Sequence, residues 1–120
     1  MNFSLKTRKA GDIAILDISG RLTIGEPVLL LHETIRQLLA DGAPNVILHL
    51  GEVNYIDSAG LGELITTHTS CRNRSGQAKL LNLSKIVKDL LQMTKLLTVF
   101  DCHDNEAKAI ESFGVKGAQR

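Results

Sequence analysis

The segment Val46-Ile47-Leu48-His49-Leu50 constrains the fold more than any other stretch, because it is apolar at every position except His49. A strand with one wet face alternates apolar and polar residues. A run without that alternation reads as a central strand covered on both faces. Such strands belong to parallel sheets, where neighbours are joined by crossovers, usually helices. Both flanks supply one. Before the run, Val28, Leu31, Ile35, Leu38 and Leu39 form a helical stripe, with Pro27 at its start and Gly42 and Pro44 past its end. After it, Leu61, Leu64, Ile65, His68 and Cys71 fit one face of a second helix.

The remaining chain keeps this rhythm. Phe3 to Thr7 alternates as a half-exposed edge strand does, Ala10-Gly11-Asp12 is a turn, and Ile13 to Ile18 reads as a second strand. The short link predicts an antiparallel hairpin between them. Ser19 to Glu26 reads as a loop with two glycines, and the central strand is placed at Asn45 to Leu50. The second helix ends in Arg72-Asn73-Arg74, cations where the macrodipole favours them, and Ser75-Gly76 breaks it. Ala78 to Leu83 is a fourth strand, and Ser84 caps a short helix carrying Ile86, Val87, Leu90 and Leu91. Leu97 to Phe100 is expected as a fifth strand. Asn105 opens a last helix with Ala109, Ile110 and Phe113 inward and Gly114 at its end. Residues 115–120 are expected to form a tail.

The order is therefore β-β-α-β-α-β-α-β-α. It predicts a single α/β domain over residues 1–114, with a mixed, mostly parallel sheet packed with helices. Aromatic residues are only 3% of the chain, so the core has to be aliphatic. It is expected to include Ile15, Leu31, Ile35, Leu38, Ile47, Leu48, Leu64, Ile65 and Leu80.

Charge and cysteine usage exclude several functions. A net charge of +1, from 14 basic and 13 acidic residues, argues against direct binding of nucleic acid through phosphate neutralisation. No apolar run approaches the ~20 residues that span a bilayer, and the start lacks a signal peptide's apolar region. A cytoplasmic protein without membrane contact is the expectation. Cys71 and Cys102 are too few and too far apart for a disulfide framework and read as free thiols. His32, His49, His68 and His103 share no metal-ligand spacing, so neither a metal nor a cofactor is expected.

The candidate site is Tyr55-Ile56-Asp57-Ser58-Ala59-Gly60-Leu61-Gly62, at the turn between the central strand and the second helix. Sites in open α/β sheets are built at that edge. Gly60 and Gly62 clear side chains from the first helical turn, at about 1 kcal/mol each relative to Ala, so another backbone or a bound group could approach. The first turn also favours an anion. In the plainest reading Asp57 or Ser58 simply caps the helix. Catalysis lacks a complete set of parts. Ile56 stands where a nucleophile elbow requires glycine, and no Gly-Lys-Ser/Thr or Gly-x-Gly-x-x-Gly follows a strand. His49 is the nearest candidate base, and nothing in the sequence orients it toward Ser58. No catalytic residue is assigned and no enzyme is expected.

Asp57-Ser58-Ala59-Gly60-Leu61-Gly62 resembles the Asp-Ser-Ser/Ala-Gly-Leu-Gly motif of bacterial anti-sigma-factor antagonists, the STAS domain family. The resemblance covers nearly the whole chain. Gly20-Arg21-Leu22 is similar to the family's Gly-x-Leu after the second strand, Val46 to Leu64 to its central block, and Leu80 to Phe100 to its closing segment. Two positions depart from it. Thr23 stands where the family often has Asp, and His49 where it often has Asp or Asn near the end of the central strand. Both are expected near the serine.

The resemblance implies an antagonist that acts by partner switching. Ser58 would be the phosphate acceptor. The unphosphorylated form would bind an anti-sigma factor that is also a serine kinase, phosphorylation would release it, and a metal-dependent serine phosphatase would reset the cycle. The docking surface would comprise Leu22, Thr23, Ile24, Gly25 and Glu26 with Asp57, Ser58, Ala59, Gly60, Leu61 and Gly62. Two alternatives stand beside this. One is a STAS scaffold that is never phosphorylated, and the other is a small-ligand or nucleotide module using the same helix terminus.

Overall fold

A computed structural model describes residues 3–118, with side chains as far as Phe113. Nine elements follow one another: β1 (Phe3–Ala10), β2 (Ile13–Leu22), α1 (Glu26–Ala40), β3 (Val46–Ile56), α2 (Ser58–Asn73), β4 (Ala78–Leu81), α3 (Lys85–Met93), β5 (Asp101–His103) and α4 (Glu106–Ala118). The sheet runs β1-β2-β3-β4-β5 in spatial order. β1 pairs antiparallel with β2, and every other pair is parallel.

The unalternating run in β3 is explained by two cores. Val46, Leu48 and Leu50 face a large cluster with Ala14, Leu16 and Ile18 of β2 and with apolar residues of α1, α2 and α3. Ile47 faces the other way, into a smaller cluster with Ile13, Ile15, Leu81, and Ala109 and Phe113 of α4. Three helices therefore cover one face of the sheet and α4 alone covers the other. A single helix is narrow, and beyond Ile47 that face turns polar. His49 lies there, with Nδ1 3.7 Å from Asp17 Oδ1 and Nε2 3.1 Å from Asn82 Nδ2. Arg8 of β1 forms hydrogen-bonded ion pairs with Asp17 and with Glu106, tying α4 to the antiparallel edge.

Several boundaries differ from the sequence-based expectation. β2 continues to Leu22 and β3 to Ile56, beyond the apolar stretches that mark their starts. Their pairing survives the polar residues through two register shifts, between Asp17 and Ser19 and between Gly20 and Arg21. The fifth strand is Asp101–His103, not Leu97 to Phe100. The amides of Leu96 and Leu97 are used on the Leu91 carbonyl and that of Val99 on Leu96, so the segment wraps the end of α3. Phe100 fills the core there, edge-on to His68 with ring centroids 5.4 Å apart. Polar Asp101 enters the sheet because its carboxylate pairs with the buried Lys79 ammonium of β4.

Eight of the nine expected core residues are buried; Ile65, at 37% exposure, is not. The buried side of α2 runs Gly60, Glu63, Leu64, Thr67 and Cys71, which turns Ile65 outward. α4 passes through Gly114 to Ala118, and positions 119 and 120 of the expected tail lie outside the described residues. No helix among the described residues is long and apolar enough to cross a membrane.

Candidate functional site

Asp57 organises the turn. It is the N-cap of α2, with extended backbone, and its Oδ1 accepts a hydrogen bond from the Gly60 amide at 2.9 Å. Its Oδ2 accepts a second from the Ile24 amide, also at 2.9 Å, in the loop between β2 and α1. One carboxylate thus caps a helix and clasps a loop that lies 33 residues earlier. Hydrogen bonds from the Ile24 amide and then from the Gly60 and Ala59 amides hold its carboxyl below the ordinary range, against the opposing effect of partial burial. The capping reading holds for Asp57, and capping is only half of what this residue does.

Gly60 fixes how α2 meets the sheet. A Cβ there would lie 2.2 Å from the Leu22 carbonyl oxygen and 2.9 Å from Ile56 Cγ1. The first helical turn therefore rests directly on the end of β2, and the Asp57 amide reaches the same carbonyl at 3.4 Å. Gly62 is different. Nothing lies within 4 Å of where its Cβ would be, so the close approach expected at this position is not made inside the chain.

The clasped loop is shaped by Gly25, the N-cap of α1, whose φ of 101° favours glycine and which makes no side-chain cap. Pro27 sits within the first two positions of the helix, and the Val28 amide closes the loop on the Thr23 carbonyl at 3.2 Å. Ile24 is thereby held outward at 75% exposure, and Leu29 is exposed on the following turn. Ser58, one residue after the clasp, is exposed at the first position of α2. On β2 and β3 beneath, Arg21 is in register with Tyr55, and its guanidinium lies 4.4 Å from the centre of that ring.

The expected site residues therefore separate into two groups. Leu22 and Gly60 are buried and support the turn from beneath. Ile24, Gly25, Glu26 and Ser58 are exposed, while Thr23, Asp57, Ala59, Leu61 and Gly62 are half-buried. His49 does not join them. It lies seven residues before the end of β3, about 20 Å away at roughly 3.3 Å per residue, so it is neither a base for Ser58 nor a neighbour of it. Leu29 is an exposed apolar neighbour that sequence reasoning did not mark, and Tyr55, part of the marked stretch but not of the expected docking surface, is exposed as well. For Leu29 a signal exists: in Val28-Leu29-Leu30-Leu31 the inward stripe uses Val28 and Leu31, which leaves leucines at outward positions.

A family model described as the STAS domain matches residues 4–109. The chain belongs to the STAS domain family. This STAS domain is 29% identical over 102 residues to the anti-sigma-B factor antagonist of Bacillus subtilis, spanning 84% of this chain and 91% of that protein. Its fold matches that of a candidate anti-sigma factor antagonist from Thermotoga maritima with a TM-score of 0.84 at 24% identity, covering 91% and 93% of the two chains. It also matches the Bacillus cell fate determinant SpoIIAA in its phosphorylated form, with a TM-score of 0.72 at 20% identity and coverage of 92% and 98%. Among the described residues, no group of three or more His, Cys, Asp or Glu side chains is arranged to hold a metal ion in this STAS domain.

Proposed function

We propose that the protein is a cytoplasmic anti-sigma factor antagonist that works by partner switching, with Ser58 as the switch. It acts as a binding protein and not as an enzyme. The observation that carries this reading is an exposed hydroxyl on a rigid turn, set beside an outward-held isoleucine. Asp57 fixes the turn through two amide contacts, so Ser58 and Ile24 present one preformed surface.

Unmodified, that surface docks on an anti-sigma factor with serine kinase activity. Burying the exposed part of Ile24 supplies on the order of 1–2 kcal/mol, and Leu29 adds a comparable amount. Gly62 has open space above it, so a partner backbone can come close there. The kinase transfers the γ-phosphoryl group of ATP to Ser58 Oγ, whose proton leaves, and ADP is released. About −1.5 to −2 charges then sit beside the ionised Asp57 carboxylate. The Gly60 amide is already taken by Asp57 and the Leu61 amide by the Asp57 carbonyl, which leaves the phosphate few donors in its own chain. It stays in water unless a partner supplies cations. An unpaired charge at a protein interface costs several kcal/mol, more than the isoleucine contact contributes, so the kinase is released. A metal-dependent serine phosphatase restores the hydroxyl.

The same accounting disfavours a small anionic ligand at this helix terminus, since Asp57 already occupies its donors. The test is phosphosite mapping after incubation with the cognate kinase and ATP. Modification confined to Ser58, with loss of kinase binding, supports the proposal. Stoichiometric modification elsewhere, or none, contradicts it.

A further inference from the structure

The chain changes face only once after β2, and that change opens a crevice. α3 follows β4 and packs on the face shared with α1 and α2, while α4 follows β5 and packs on the opposite face. The segments leaving β4 and β5 therefore diverge at the carboxyl ends of these parallel strands. In open α/β sheets, such a divergence is where ligands are held. Here it leaves a crevice of about 610 Å³, within the size range of small-molecule sites.

Its floor is fixed. Asn82 adopts a left-handed conformation with φ 54°, its amide donates to the His103 carbonyl at 2.8 Å, and its side chain reaches His49. Gly51 of β3 passes so close that a Cβ there would lie 3.0 Å from the Asn82 carbonyl oxygen. Leu83 and Leu97 supply apolar wall, and Lys88 and Lys108 stand on opposite sides, one from α3 and one from α4.

The two lysines are the unexplained feature. Both lie in the first turns of their helices, where the macrodipole disfavours a cation. Lys85, in the same turn of α3, is paired with Asp89, whereas neither Lys88 nor Lys108 has a side-chain partner among the described residues. Among the described residues, Asp104 is the one acid lining the crevice, against two ammonium groups. Both ammonium groups are exposed, and an oxyanion placed between them would accept from two helices at once.

We propose that this crevice binds a small organic anion, its phosphate or carboxylate held by Lys88 and Lys108 and its apolar body against Leu83 and Leu97. The site shares no residue with the Ser58 turn, so this proposal and partner switching stand or fall separately.

The test is a titration of the ¹⁵N-labelled full chain with phenyl phosphate and, in a parallel arm, with benzoate, followed by amide shifts. Saturable shifts at Gly51, Asn82, Asp104 and Lys108, with Asp57 to Gly62 unmoved, are expected for at least one probe. The tighter arm identifies the phosphate or the carboxylate as the preferred group. Lys88→Met with Lys108→Met should weaken binding by about tenfold or more, and the control Lys85→Met should leave it unchanged. Shifts that never saturate for either probe would overturn the proposal. So would shifts centred on Ser58, or equal affinity in a double variant whose spectrum shows the fold retained.

Discussion

Substituting alanine at the two glycines of the turn separates what holds the site from what uses it. At Gly60 the added methyl would start 2.2 Å from the Leu22 carbonyl oxygen, more than 1 Å inside ordinary contact, which begins at 3.4 Å. The obstacle is backbone at the end of β2, so no side chain can swing away. The start of α2 has to move instead, which strains the Asp57 contacts to Leu22 and Ile24. Overpacking costs about 1–3 kcal/mol and a weakened hydrogen bond about 1 kcal/mol more, while alanine returns roughly 1 kcal/mol of helix propensity. Gly60→Ala should therefore destabilise by about 1–3 kcal/mol. Gly62→Ala meets open space and should be neutral or stabilising by up to about 1 kcal/mol, yet should weaken kinase binding if a partner packs there. Urea melts of both variants, read together, provide the assay. A Gly60→Ala variant as stable as the parent, or a Gly62→Ala variant less stable than Gly60→Ala, would refute the packing described at this turn.

Other outcomes follow from the same structure. Asp57→Ala should cost about 1–3 kcal/mol and should speed hydrogen exchange at the Ile24 amide, since it removes a cap and a clasp together; unchanged exchange at Ile24 would mean that the loop is held by other contacts. The Asp57 carboxyl lies below its ordinary value near 3.8 in the folded state, so its contribution is complete above that pH and is lost as pH falls through the lower folded value. An acid melt of the parent should therefore lose more stability below about pH 4 than one of Asp57→Asn. Ile47→Ala should cost about 2–5 kcal/mol, because Ile47 is fully buried between β3 and α4; a loss below about 0.5 kcal/mol in urea melts would contradict its central place. The Cys71 thiol is pushed up to about 11 by burial, so it should resist thiol reagents at neutral pH in the native state, and replacing both cysteines by alanine should leave partner binding intact.

Much of this was legible in the sequence because periodicity reports burial directly. The stripe Leu31-Ile35-Leu38-Leu39 is buried as a stripe, and the unalternating run in β3 marks a strand between two layers. Element ends were less legible, because hydrogen bonding and not hydrophobicity decides them. β3 runs on to Ile56 through residues with no apolar pattern, carried by bulged pairing with β2. Leu97 to Phe100 has strand-like composition but serves as a plug, and three residues led by Asp101 form the strand, held by a lysine distant in sequence. The outward position of Ile65 has a related cause. The contact of Gly60 with the Leu22 carbonyl helps set the rotation of α2, and no single-helix pattern contains that contact. At the site, the motif marked Asp57, Ser58 and Gly60 as a group, and the structure places all three in one turn at the start of α2. It did not reveal that Asp57 holds the Ile24 loop or that His49 sits far from the serine, since both depend on strand lengths and on pairing across the sheet.

The central claim is that charge at Ser58 controls binding of the kinase. The most direct measurement is the calorimetric affinity of that kinase for the parent, Ser58→Ala and Ser58→Asp, with thermal melts of all three. The account predicts unchanged melts, an affinity for Ser58→Ala equal to that of the parent, and a loss of about a hundredfold or more for Ser58→Asp, equivalent to roughly 3 kcal/mol of uncompensated charge. Equal affinity for the alanine and aspartate variants, with melts unchanged, would contradict it.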